Sequence, residues 1–175
     1  MTKSSKFEDV IKPFIVLIAI CLVVSVLLGF TNSITAPVIE ENARIAAEQT
    51  RAAVLEGSNG FTEIQCDTAA LGITSAYKEN NGLGYVITAA NKGYGGDVVV
   101  TVGLNADGEV VGLNANVGTE TSGVGSKAGA DAYTGKYLGL SGNCDSVDTI
   151  SGATYSSTAV KTGVNAALAA YAAIK

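Results

Sequence analysis

Residues Asp148 to Thr154 read DTISGAT, a small-residue turn that ends on a hydroxyl, Thr154, where a helix begins. A helix start presents unpaired backbone N–H groups and the positive end of the macrodipole, so it accommodates a phosphate well. A hydroxyl at that point can carry a phosphate ester whose charge is already compensated. Ser151, Gly152 and Ala153 are small enough to let a bulky group reach the backbone, while Ser156, Ser157 and Thr158 are rival hydroxyls further into the helix. A plainer reading uses the same residues, with Thr154 as an ordinary N-cap and Asp148 as a solvated loop charge. A second stretch, Thr119 to Gly125, reads TETSGVG. Its Gly123-x-Gly125 lacks the third glycine and the βαβ setting of a dinucleotide fingerprint.

Composition narrows the chemistry. The 175 residues contain neither His nor Trp, which removes histidine general-base catalysis and histidine ligation of metal or haem. Cys21, Cys66 and Cys144 have no paired short spacing, which argues against zinc or iron–sulfur sites. A redox role would then need a borrowed cofactor. With 11 basic and 16 acidic residues the chain has no basic stripe to match a nucleic-acid backbone.

The elements that position these residues begin with an apolar segment. Phe14 to Phe30 reads FIVLIAICLVVSVLLGF, uncharged, and at 1.5 Å per residue covers roughly 25 Å of bilayer. Lys3, Lys6 and Lys12 precede it and no basic residue follows before Arg44. The positive-inside rule then predicts a cytoplasmic N-terminus (1–12), a span over 13–31, and an extracytoplasmic remainder. A cleaved signal peptide is the competing view, but its apolar core is usually shorter. Ser25 and Gly29 supply a small-x-x-x-small face for a neighbouring span. Eight basic and fourteen acidic residues follow the span, a net of −6. Cys66 and Cys144 both lie in that part, either as a disulfide or as buried thiols.

Beyond the span, Pro37 suits a helix's first turn, and Ile39, Ala43, Ala46, Ala47 and Val54 form an apolar stripe that Gly57 can end. This predicts a stalk helix within 32–57. Domain 58–175 then reads as short strands near 61–65 and 73–78, stronger strands at 85–90, 97–104 and 109–117, and a turn or short helix over 130–139. A closing helix over 155–174 has Val160, Val164, Leu168 and Tyr171 on one face. Strands in a run flanked by helices predict an α+β domain with an antiparallel sheet.

Three segments together resemble the FMN-binding domain family. Gly93-Tyr94-Gly95-Gly96 with Leu104 to Glu109 is similar to the family's hairpin. Thr119 to Gly125 resembles its His-x-Glu-Thr-Pro-Gly-x-Gly loop, with Val117 where histidine is common and Ser122 in place of proline. Asp148 to Thr154 resembles its Asp-x-x-Ser-Gly-Ala-Thr flavinylation signature. The resemblance covers about residues 85–171. It implies FMN joined through a phosphoester bond to Thr154 by a flavin transferase that reads Asp148, with Ser151, Gly152 and Ala153 giving access. It further implies that Glu120, Thr121, Ser122, Gly123 and Gly125 line the ring, with Lys127 near the phosphodiester or ribityl end.

Within the family, a single span ahead of such a domain resembles the G-type branch of Rnf ion-translocating ferredoxin:NAD+ oxidoreductases. The longer C-type component of sodium-pumping NADH:quinone reductases is a relative. The resemblance implies a membrane electron carrier that works with other subunits and has no catalytic residues of its own. Two other classes remain: a tethered or secreted FMN-dependent reductase, and a pilin-like structural protein with an unmodified Thr154.

Overall fold

The computed structural model describes residues 3–65 and 72–174; Cys66, one of the two thiols that a disulfide would join, lies outside them. The chain divides into two units, Met1–Ala46 and Ala47–Lys175. The first is occupied by helix α1, which spans Lys3–Val54 and carries its last turns into the second unit. Among the described residues it is the one helix long and apolar enough to cross a membrane, with a best 18-residue window of mean hydropathy 3.0.

Sequence patterning predicts a span over 13–31 and a stalk helix within 32–57, with Pro37 in the first turn of the latter. The structure has one continuous helix through Pro13 and Pro37. The polar residues ahead of Pro37 satisfy themselves on the helix: Thr31 Oγ1 donates to the Leu27 carbonyl at 2.9 Å, Ser33 Oγ to Phe30 at 2.8 Å, and Thr35 Oγ1 to Thr31 at 2.9 Å. Such back-bonding removes the competition with the helix that makes these residues read as turn formers. The helix stops at Val54, and Gly57 follows with φ +80°, a conformation open to glycine at little cost.

The second unit is built on a five-stranded antiparallel meander in the order β1 (Phe61–Glu63), β2 (Ile73–Glu79), β3 (Gly84–Lys92), β4 (Asp97–Asn105) and β5 (Val110–Asn116). Two short helical stretches follow: a 3-10 turn at Gly125–Gly129, then α2 (Asp131–Thr134) running into a second 3-10 turn. Helix α3 (Thr154–Ile174) closes the domain. Period-2 alternation sends Val98, Val100, Val102 and Leu104 of β4 to one face, where they pack with Val160, Val164, Ala167 and Leu168 of α3. Each fully buried valine or leucine there contributes about 1.5–3 kcal/mol. Gly163 lets α3 approach closely, since a Cβ on it would sit 2.9 Å from the Val100 side chain.

The opposite face receives the end of α1. Gly103 and Gly112 are cross-strand partners on β4 and β5, and a Cβ on either would overlap the Val54 carbonyl oxygen. Val54 and Leu55 pack there with Val86, Phe61 and Tyr77, and the Arg51 guanidinium lies 4.3 Å from the centre of the Tyr77 ring. Glu79, fully buried, accepts the amides of Asn59 (3.0 Å), Asn81 (2.7 Å) and Leu83 (3.0 Å), which fixes the β2–β3 turn.

The paired glycines make a direct prediction. Gly112→Ala should lower the stability of the full chain in detergent by about 1–3 kcal/mol through overpacking. Thermal unfolding of the two proteins side by side measures it, and an unchanged midpoint would mean that Val54 does not seat on the sheet.

Candidate functional site

The start of α3 is set by a tight turn. The Ala153 amide donates to the Ile150 carbonyl at 3.0 Å, and Gly152 between them has φ +80°. A type II turn requires a positive φ at its third residue, so Gly152 is there for backbone reasons. The Ala153 carbonyl accepts the Ser157 amide at 2.9 Å, which makes Ala153 the N-cap and Thr154 the first helical residue. Ser157 is fully buried and braces the turn: its Oγ accepts the Ile150 amide at 3.1 Å and donates to the Ala153 carbonyl at 2.9 Å. An alanine at N-cap has no side-chain oxygen to cover the first-turn amides, which leaves the positive end of α3 open to an outside acceptor.

That end opens on a cleft of about 360 Å³ lined by Tyr94, Thr121, Val124, Gly125, Gly152, Ala153, Thr154, Tyr155 and Ser156. Thr154 is exposed, whereas Ser156 and Ser157 are buried and hydrogen-bonded. Two exposed tyrosines flank the mouth: the Tyr94 and Tyr155 ring centres are 6.3 Å apart with planes tilted by 48°.

Glu120 holds these parts together. Its side chain is buried, and Oε1 accepts the amides of Tyr94 and Gly95, each at 3.0 Å, while Oε2 accepts the Ser156 hydroxyl. Tyr94 and Gly95 are the central residues of the β3–β4 turn, closed by the Gly93 amide on the Gly96 carbonyl at 2.8 Å. A Cβ on Gly93 would overlap the Glu120 carboxylate, and one on Gly95 the Thr119 carbonyl. The glycines of this turn therefore let two loops and a helix start meet at one carboxylate. Burial pushes the Glu120 pKa up, but the Ser156 hydroxyl and the amides of Gly95, Tyr94 and Gly96 outweigh it and hold the group below its ordinary 4.5.

Of the residues singled out from sequence, Thr121, Gly125, Gly152, Ala153 and Thr154 come together around the cleft. Glu120 sits behind it, turned into the protein. Ser122, Gly123, Lys127, Ser151 and Asp148 are exposed and lie outside the lining set. Lys161, two turns into α3, donates to the loop carbonyls of Asp145 (2.9 Å) and Val147 (3.0 Å). Sequence reasoning passed over Tyr94, Val124 and Tyr155 as lining residues. The signal was present for two of them, since Tyr94 sits inside the glycine turn and Tyr155 beside Thr154. Beneath the site Tyr137 donates to Tyr133 at 2.9 Å, and burial raises the Tyr137 pKa, so it stays neutral.

Known proteins share this sequence region. Residues 93–169, which include both tyrosines, Glu120 and Thr154, match the FMN-binding domain family. The chain is 25% identical over 158 residues to the G subunit of the proton-translocating ferredoxin:NAD(+) oxidoreductase complex of Clostridium ljungdahlii, covering 85% of this chain and 84% of that one. It is 29% identical over 192 residues to the G subunit of the Na(+)-translocating ferredoxin:NAD(+) oxidoreductase complex of Acetobacterium woodii, covering 94% and 93%.

The depressed pKa of Glu120 has a sign. Between its native value and 4.5 the unfolded chain binds a proton that the native chain refuses, so the stability it confers is present above about pH 4.5 and lost as pH falls through the native value. Denaturant unfolding of the full chain in detergent at stepped pH should show stability declining below about pH 4.5. The decline should be shallower in Glu120→Gln; equal slopes would mean the carboxylate is not held ionised by these partners.

Proposed function

We propose, from the premise that residues 93–169 carry an FMN-binding domain, that this chain is the G-type electron carrier of a membrane-bound, ion-translocating ferredoxin:NAD+ oxidoreductase of the Rnf type. In this reading FMN is esterified through its phosphate to Thr154. The observation that carries it is where the hydroxyls of the α3 start sit: Thr154 is exposed and lines the cleft, Thr158 is exposed but outside the lining, and Ser156 and Ser157 are buried and bonded within the protein.

The residues present fit the group at both ends. An alanine N-cap leaves the first-turn amides of α3 to a phosphodiester, and the helix dipole contributes about 0.3–1 kcal/mol to a negative charge placed there. Val124, Tyr94 and Tyr155 give the cleft apolar and aromatic surface for a flat ring. Bound there, FMN supplies reversible one- and two-electron transfer. The protein's own part is to hold the phosphate end at Thr154, to confine the ring between the Tyr94 turn and α3, and to keep Glu120 ionised behind it without contact with the cleft. Formation of the ester needs an activated flavin donor: Thr154 Oγ bonds to phosphorus and gives up its proton as the donor's leaving phosphate departs. A transferase supplies that step, and the exposed Asp148 loop is where it would read the chain.

The remaining assignments follow from α1. The apolar stretch near the N-terminus acts as the membrane anchor (13–31), the lysines before it keep that end cytoplasmic, and the domain stands outside. The relatives' names carry different coupling ions, proton and Na(+), which suits a chain that carries electrons and leaves ion selection to other subunits. As an isolated chain it should be reducible yet show no turnover.

Intact mass of the chain co-expressed with a flavin transferase tests the attachment. The expected result is an added mass equal to FMN less water, mapped to the peptide containing Thr154. It should be abolished in Thr154→Ala and retained in Thr158→Ala. Unchanged mass with an active transferase contradicts the proposal.

A further inference from the structure

We infer that Tyr94 and Tyr155 are the two walls that grip the flavin ring, and that Glu120 is the positioning residue that sets the gap between them. The inference rests on attachment at Thr154 and extends it to the ring. Both tyrosines are large aromatic side chains left open to solvent, 74% and 70% exposed, in a domain that buries Tyr133 and Tyr137 nearly completely. They come from opposite sides of the cleft, one from the β3–β4 turn and one from the first turn of α3, and each lines it. Among the described residues the ring contact of each is with the other, an aromatic surface waiting for a flat one.

The spacing suits a closing grip. A ring stacked between two others needs about 7 Å between the outer rings, two contacts of roughly 3.5 Å. The tyrosine centres stand 6.3 Å apart and are tilted by 48°. Exposed side chains change rotamer on the ps–ns scale, so a small swing admits a ring and brings the planes parallel. Tyr155 follows Thr154 directly, so a tether at one residue delivers its cargo to the next.

Glu120 enters because of which atoms it holds. One carboxylate accepts the amide of Tyr94 itself and the hydroxyl of Ser156, the neighbour of Tyr155. The backbone of each wall is thus fixed through the same group. A Cβ on Gly125 would lie 2.6 Å from Ser156 Oγ and 2.9 Å from Glu120 Oε2, so the floor between them admits no side chain. Glu120 acts through the tyrosines and does not line the cleft.

Stacked phenols quench an excited flavin by donating an electron to it, which provides a readout independent of turnover. The full chain, flavinylated in the expression host, is compared with Tyr94→Leu, Tyr155→Leu, the double variant and Glu120→Ala. Intact mass and circular dichroism are recorded on each sample. The expected result is short-lived flavin fluorescence in the parent, partial recovery in each single tyrosine variant, and a severalfold rise in the double variant. Glu120→Ala should also brighten the flavin although both tyrosines remain, and both the Leu and the Ala variants should shift the flavin midpoint potential. Covalent mass with lifetimes and potential unchanged in the tyrosine variants overturns the grip alone. Changes in the tyrosine variants but none in a folded Glu120→Ala overturn its positioning role. Absence of the added mass at Thr154 in the parent overturns the attachment and the grip together.

Discussion

The site depends on one buried carboxylate that is kept charged. Glu120 has lost most of its water, and it is compensated by the amides of the β3–β4 turn and a hydroxyl on α3. A buried anion without partners would cost several kcal/mol, and removing one partner would leave the others' desolvation uncompensated. The arrangement therefore persists as a unit. Its consequence is geometric: the turn that carries Tyr94, the loop that carries Thr121 and Val124, and the first turn that carries Thr154 and Tyr155 share a common anchor. Glycines at 93, 95 and 125 are what allow three backbones to converge on two oxygens.

A second constraint works at the front of the cleft. The turn Ile150–Ala153 ends in an alanine N-cap, which gives up the ordinary capping bond, worth about 1 kcal/mol against Ser, Thr, Asp or Asn. Ser157 braces the turn from inside the helix, so the first-turn amides stay uncovered without the turn losing definition. A helix start left open beside an exposed threonine is suited to a phosphate group. The hydrophobic packing of α3 on β4, with Gly163 drawn close to Val100, keeps that start in place.

Much of this was legible in the sequence, and the reasons differ by residue. The strands of the meander announce themselves by alternation and by the Asn105–Glu109 turn, where Asn105 Oδ1 accepts the Asp107 and Glu109 amides. Gly152 and Thr154 are readable because turn and helix start are local. Glu120 was legible as a residue of the site but not in its role: its partners Tyr94 and Ser156 lie 26 and 36 residues away, and nothing local says that its side chain turns inward. Tyr155 carries no periodic signal, since the helix buries its other face. The continuity of α1 was hidden because Pro37 reads as the first turn of a new helix, whereas the helix runs through it and Thr31, Ser33 and Thr35 bond back onto it.

The proposed function is that of a carrier whose chemistry would come from an attached group, with the polypeptide supplying position and charge. The claim beneath it is the linkage at Thr154, and phosphorus NMR of the purified flavoprotein tests that bond most directly. A phosphate monoester has a second ionisation near pH 6, and a diester has none. The account predicts a single protein-bound phosphorus resonance whose shift does not move with pH across that range. A bound resonance that titrates near pH 6 would identify an unattached cofactor and contradict it.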